Sequence, residues 1–326
     1  MNHDPRNSRR EPQGGRAPRT LDRIRGVLLA MLVGCVVAAG GALYFLVLPE
    51  SAQSSTQPDA DPVTAAGSEQ PPPGPFEPIA PPLTLSTTVP EVTSLADSFG
   101  ALSPLVDGEV GVAIAPIGKG SAELFGDVGT GPAWSTSKVP VVMAAEREHG
   151  SLTASMAAAI TRSDNAAAEE VWTSLGVPET AAAKVEAVLR EAGVSTVVQS
   201  ERIRPGYTAF GQTIWSLQDQ ATFVANAACD PRSASVLNLM GQIEPGQSWG
   251  LGRIPGSKFK GGWGPSESGA YLVRQFGLVP TTDGEVAIAI AVRPASGSFE
   301  AGTQALDIVA DWIADHLSQM PLGRCA

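Results

Sequence analysis

At 326 residues the chain has room for one large domain or two ordinary ones. Its net charge of -11 is uneven: residues 1–26 hold seven arginines against three acids, a surplus of four positive charges that leaves -15 on the remainder. A main body so acidic repels phosphates, which excludes nonspecific nucleic-acid binding.

Taken in order, residues 1–26 are polar, arginine-rich and carry Pro and Gly, and read as a disordered cytoplasmic tail. Val27 to Leu48 is a run of 22 residues without a charge. As a helix it would span about 33 Å, enough to cross a bilayer. Arginines crowd its N-terminal side, so the expected arrangement is a single-pass anchor in the cell membrane, N-terminus cytoplasmic and C-terminal domain extracytoplasmic. A cleaved signal peptide is the rival reading, but the run is too long for one and Leu48-Pro49-Glu50-Ser51-Ala52 is a poor cleavage site. Leu32-Val33-Gly34-Cys35 resembles a lipoprotein cleavage box, yet largely apolar residues follow Cys35 where a lipoprotein turns polar. Residues 49–90 are rich in Pro, Ser, Thr and Ala without a hydrophobic period, and read as an extracytoplasmic linker able to hold a domain about 35 Å from a membrane as a coil.

The globular part is expected over 91–326. Val92, Leu95, Phe99 and Leu102 fall at helical spacing. Val110, Val112 and Ile114 alternate with Gly111, Ala113 and Ala115, and Val286, Ile288, Ile290 and Val292 alternate with alanines in the same way. Small residues on the second face let helices pack close, so both faces of the sheet are expected to be covered. Gly264-Pro265 and Thr281-Thr282-Asp283-Gly284 mark turns around a strand from Tyr271 to Val279. The predicted order is a helix, two strands, a helical stretch over about 135–240, three strands and a closing helix at about 300–317. An antiparallel sheet of about five strands, flanked by N- and C-terminal helices and split by a helical insertion between strands 2 and 3, is α+β. Cys229 follows a helix and Cys325 is penultimate. Under oxidising conditions a disulfide pinning the C-terminus is expected, with two unrelated buried thiols as the alternative.

The three histidines, His3, His149 and His316, have no recognisable partner motif, and the histidines and cysteines form no zinc-type spacing. No metal or other cofactor is implied. Lysine is therefore the better candidate base, and the chain holds only five lysines. In Trp134-Ser135-Thr136-Ser137-Lys138-Val139-Pro140, Ser135 and Lys138 lie one turn apart at the head of a predicted helix, so the amine can reach the hydroxyl. That suits a serine nucleophile deprotonated by a neutral lysine, and the helix start favours an oxyanion there. A second Ser-x-x-Lys is Ser257-Lys258-Phe259-Lys260. Ser163-Asp164-Asn165 lies between two predicted helices and by itself reads as an N-cap. Lys260-Gly261-Gly262-Trp263 lies on the third predicted strand, where glycines permit close approach of a ligand's backbone or a bulge.

Ser-x-x-Lys, Ser-Asp-Asn and Lys-Gly-Gly, in that order on helix, loop and strand, resemble the motifs of the penicillin-recognising serine enzymes, the penicillin-binding proteins and class A β-lactamases. The resemblance implies a β-lactamase/transpeptidase-like fold over 91–326 and an active site between the sheet and the helical region. It implies that Ser135 is acylated, Lys138 is its base, Ser163 relays a proton to the leaving nitrogen, Asn165 contacts the substrate amide and Lys260 orders the proton network. The N–H groups of Ser135 and Trp263 would form an oxyanion hole beside Gly261 and Gly262. Substrates would be peptidoglycan peptides or β-lactams. Ser257 then becomes incidental. A lysine acts as base near neutral pH only with a lowered pKa, which burial and a neighbouring Lys260 cation would bring about.

The chain departs from that pattern in three places. Gly261 stands where the family has Thr or Ser, whose hydroxyl helps hold a substrate carboxylate. Ser135 and Ser163 are only 28 residues apart, which implies a trimmed helical domain. No Glu-x-x-Leu-Asn segment follows Ser163, and Glu201 reads as a surface charge rather than a deacylating base. Three readings result: an acyl-transfer enzyme on wall peptides or β-lactams, a catalytically inactive relative that binds wall or a protein, and a β-lactamase proper.

Overall fold

The computed structural model describes residues 94–118 and 120–325. The tail, the apolar run 27–48 and the linker lie outside the described residues. The expected membrane location is corrected here: among the described residues no helix is long and apolar enough to cross a membrane.

Ser94 accepts from the Asp97 amide and caps α1, Leu95–Leu102; a cap of this kind contributes about 1 kcal/mol. The chain then forms β1 (Gly108–Pro116) and β2 (Glu123–Gly126). After the helical region come β5 (Lys258–Pro265), β6 (Tyr271–Thr281) and β7 (Gly284–Pro294), and α8 (Phe299–Asp315) closes the domain. The five strands make one sheet in the order β2-β1-β7-β6-β5, and every neighbouring pair is antiparallel. Strand β5 is therefore an edge.

The alternation along β1 and β7 sets both faces. Val110, Val112, Ile114, Ile288, Ile290 and Val292 pack with Leu306, Val309 and Ile313 of α8. Ala113, Ala115, Ala287, Ala289 and Ala291 face the other way, into the core of the helical region. There α6 (Leu217–Ala227) lies on the sheet and buries Leu217, Ala221 and Val224. Burying a Leu or Val side chain there is worth about 2 kcal/mol. The expected α+β architecture is the one found.

The helical region holds α2 (Lys138–His149), α3 (Ala154–Thr161), α4 (Asn165–Ser174), α5 (Pro178–Glu191), α6 and α7 (Ala234–Met240). One element was not anticipated: β3 (Thr130–Pro132) pairs with β4 (Ile214–Ser216) as a separate two-stranded ribbon. Three residues are too few to show a period, which is why the alternation rule passes over them. Cys229 and Cys325 are joined by a disulfide with Cα atoms 5.2 Å apart.

Candidate active site

Ser135 does not sit on an α-helix, as its spacing to Lys138 suggested. It lies in a 3-10 turn, Trp134–Ser137, that runs directly into α2. Trp134 adopts φ +50°, an unfavourable conformation for a bulky residue. Ser135 is half-buried and lines an open cavity of about 450 Å³ together with Ser163, Asn165, Trp263 and Tyr271.

Lys138 is 1% exposed. Its Nζ donates to Ser163 O at 2.5 Å, to Asn165 Oδ1 at 2.7 Å and to Ser163 Oγ at 3.3 Å. Among the described residues no hydrogen bond joins the Ser135 hydroxyl to this amine. Burial is the main cause that lowers Lys138 to about 7, against the opposing charges of Asp164 and Glu169. Lys260, wholly buried, donates to Ser163 Oγ at 2.9 Å and to Gly261 O at 2.8 Å. It is pushed well below the ordinary lysine range by desolvation first and by Lys138 second. Both amines are thus lowered, chiefly by burial, and the cation Lys260 was expected to lend Lys138 is not among the causes acting there.

The Ser163 corner is shaped by α4. Asp164 caps that helix by accepting from Ala167 N. Ser163 just before it takes φ +55°, and its hydroxyl and carbonyl both turn to the lysines. The bland N-cap reading of this tripeptide therefore holds for Asp164, while Ser163 and Asn165 reach Lys138.

The edge strand β5 closes the other side. A Cβ built on Gly262 would stand 2.8 Å from Ala133 O and 2.9 Å from the amide nitrogens of Ser135 and Thr136. Only glycine permits that approach. The first amides of a helical turn lack intrahelical acceptors, so the Ser135 N–H is available to a ligand beside β5. A Cβ on Gly261 would point to the opposite face, 3.2 Å from Trp249 Cη2. Trp249 thus occupies the space in which a side chain at 261 would begin. Ser257 is buried, and no hydrogen-bond partner is found for its hydroxyl among the described residues.

Several cavity residues escaped the sequence reading. Glu169 lines the cavity, and Glu201 is exposed and does not. Glu169 follows Asn165 by one turn of α4, a spacing that could have flagged it. Its Oε1 pairs with Arg202 Nη2 at 2.8 Å. Arg204 donates to Pro265 O at 2.6 Å and lies over the Tyr207 ring at 4.6 Å. The loop carrying Arg202 and Arg204 is thereby tied to both walls of the cleft.

A five-stranded antiparallel sheet with a helical insertion, and an open cleft between them, is the fold of the penicillin-recognising serine enzymes, β-lactamase/transpeptidase-like. In particular, the chain is similar to a β-lactamase from Chitinophaga pinensis, with TM-score 0.54 and 17% identity over 67% of this chain and 97% of that one. It is similar to a β-lactamase from Sphaerobacter thermophilus, with TM-score 0.52 and 19% identity over 69% of this chain and 98% of that one. A variant of the last common ancestor of Gram-negative class A β-lactamases gives TM-score 0.53 and 19% identity over 71% of this chain and 100% of that one. Likeness at such identity carries the fold alone. No family model matches the sequence, and no curated protein does.

Proposed function

We propose that the domain is a serine acyl-transfer enzyme acting on peptidoglycan peptides or β-lactams through an acyl-enzyme at Ser135. The observation that carries this reading is the convergence of Lys138 and Lys260 on Ser163 Oγ, at 3.3 and 2.9 Å, in the cavity that Ser135 lines.

The chemistry follows from the donor count. A protonated Lys138 has three N–H groups for its three acceptors. Near pH 7 it loses one proton, keeps the two short donations to Ser163 O and Asn165 Oδ1, and has a lone pair for the Ser135 hydroxyl proton. The Ser135 Oγ–carbon bond then forms. The scissile C–N bond breaks, and the leaving nitrogen takes a proton through Ser163, whose hydroxyl lies between the amines. Asn165 meets the substrate amide, Lys260 orients Ser163, and the Ser135 and Trp263 N–H groups receive the oxyanion. Each such oxyanion donor contributes about 3 kcal/mol to the transition state. Water or an amine then takes the acyl group from Ser135.

Two observations bear on the alternatives. Among the described residues Glu169 is the carboxylate that lines the cavity, and it is paired to Arg202, which favours slow deacylation over a β-lactamase proper. Gly261 lacks the expected carboxylate-holding hydroxyl, with Trp249 3.2 Å from where its Cβ would stand, which favours the inactive binding module.

Incubation of the whole chain with a fluorescent penicillin, beside Ser135→Ala, separates the three. Stable label on the unmutated chain alone supports the proposal. Rapid turnover with release supports a β-lactamase. No acylation by penicillin or by any D-alanyl thioester leaves the binding module.

A further inference from the structure

Strand β6 carries a buried cation that the chemistry above does not use. Arg274 is 1% exposed, and among the described residues no carboxylate accepts from it. Its Nη1 donates to Gly131 O at 3.0 Å and Pro132 O at 3.1 Å, and its Nη2 to Trp215 O at 3.0 Å and Gln220 Oε1 at 2.5 Å. Gln220, wholly buried, turns its Nε2 to Thr136 Oγ1 at 2.7 Å, and that hydroxyl donates to Ala133 O at 2.5 Å. Arg293 supplies the remaining β3 carbonyl, donating to Thr130 O at 2.9 Å. All three carbonyls of β3 therefore accept from a guanidinium, and β3 leads straight into the turn that bears Ser135.

A buried, unpaired cation is costly, and a few backbone carbonyls would be better served by neutral donors. What a guanidinium adds is a rigid planar fork that fixes several acceptors at set angles at once, which no lysine can do. The feature that needs such bracing is adjacent. Trp134 at φ +50° holds a strained backbone conformation that persists only where the surroundings over-determine it. Register supplies the rest. Arg274 is the β6 residue paired with Gly262 on β5, whose backbone lies against the Ser135 amide. One residue thus sets both walls around the nucleophile: its main chain holds β5, and its side chain holds β3 and, through Gln220, Thr136.

We infer that Arg274 is a positioning residue for Ser135, acting through the β3 carbonyls and the Gln220–Thr136 link to hold the Trp134–Ser137 turn in register with β5. This rests on the acyl-transfer reading for its consequence on rate, but not for its consequence on structure, so two readouts are paired. In the full-length chain, Arg274→Met removes every donor, Arg274→Lys keeps the charge without the fork, and Gln220→Met cuts the link to Thr136 together with one acceptor of the fork, leaving the guanidinium on the backbone carbonyls. Amide hydrogen exchange followed by mass spectrometry is expected to rise over residues 130–137 in all three, while β7 stays protected. With fluorescent penicillin, the limiting acylation rate is expected to fall on the order of tenfold or more, with the half-saturating concentration within about twofold, because the turn and not the binding walls is displaced. Arg274→Lys is expected to fail to rescue. Gln220→Met keeps the test open if the arginine variants do not fold. Unchanged exchange over 130–137 in Gln220→Met, or a general loss of protection including β7, overturns the inference. If the unmutated chain takes no acyl label, the acyl-transfer reading fails, while the exchange arm still decides the positioning role.

Discussion

Lys138 and Lys260 aim their amines at one oxygen, Ser163 Oγ, at 3.3 and 2.9 Å. Because the first is lowered to about 7 by burial, the acylation rate is expected to rise with pH and level off above about 7, falling about tenfold per unit below it. Lys260→Met should lower the plateau by about 10²- to 10⁴-fold and leave the midpoint near 7, since burial and not Lys260 sets it. Stopped-flow labelling across pH 5 to 9 measures both.

The same shift has a thermodynamic sign. Between about 7 and the unperturbed 10.5 the unfolded chain binds a proton at Lys138 that the folded chain does not. This group's contribution to stability therefore increases as pH rises through that window, and its penalty is fully present below about 7. Urea melts at pH 7 and pH 9 should give a larger gain for the unmutated chain than for Lys138→Met. An equal gain would mean that Lys138 keeps its proton when folded.

Gly262 is expected to tolerate no side chain. A methyl there meets backbone atoms of Ala133, Ser135 and Thr136 at 2.8 to 2.9 Å, and backbone cannot rotate away as a side chain can. Gly262→Ala should slow labelling by at least about 100-fold, with near-ultraviolet circular dichroism preserved.

Position 261 behaves differently, because its neighbour is an indole. Gly261→Thr is expected to cost about 1–3 kcal/mol through overpacking against Trp249, read from urea midpoints. Adding Trp249→Ala should recover part of that, giving a coupling in the double-mutant cycle of at least about 0.5 kcal/mol. Strict additivity would show that the indole is not what excludes the side chain.

The disulfide joins residues 96 apart in sequence. Closing so long a loop stabilises by about 4–5 kcal/mol on the chain-entropy account. Cys229→Ser with Cys325→Ser should lose a large share of this in melts. Neither cysteine lines the cavity, so labelling at a temperature where the domain is folded should be unaffected.

Much of this architecture is legible locally. The bulky and small alternation along β1 and β7 declares a sheet covered on both sides, because side chains on a strand point to opposite faces in turn. The closing helix and the order of the three motifs are equally visible, and Lys138 does reach Ser163 and Asn165 while Lys260 reaches Ser163. What stays hidden has no local signal. Ribbon β3–β4 is too short to show a period. Trp249 opposes Gly261 only through a tertiary contact. An arginine within the apolar run of β6 is an anomaly in sequence, but its acceptors lie as far as 143 residues away.

By itself, the sequence determined the α+β class, the place of the helical insertion and the candidate nucleophile and lysines, because periodicity and motif order are properties of neighbouring residues. Only the tertiary structure decided that both lysines are buried against Ser163, that Glu169 rather than Glu201 enters the cleft, and that Arg274 braces the serine turn. Those depend on desolvation and on hydrogen bonds between distant segments, and both exist only once the chain has closed on itself.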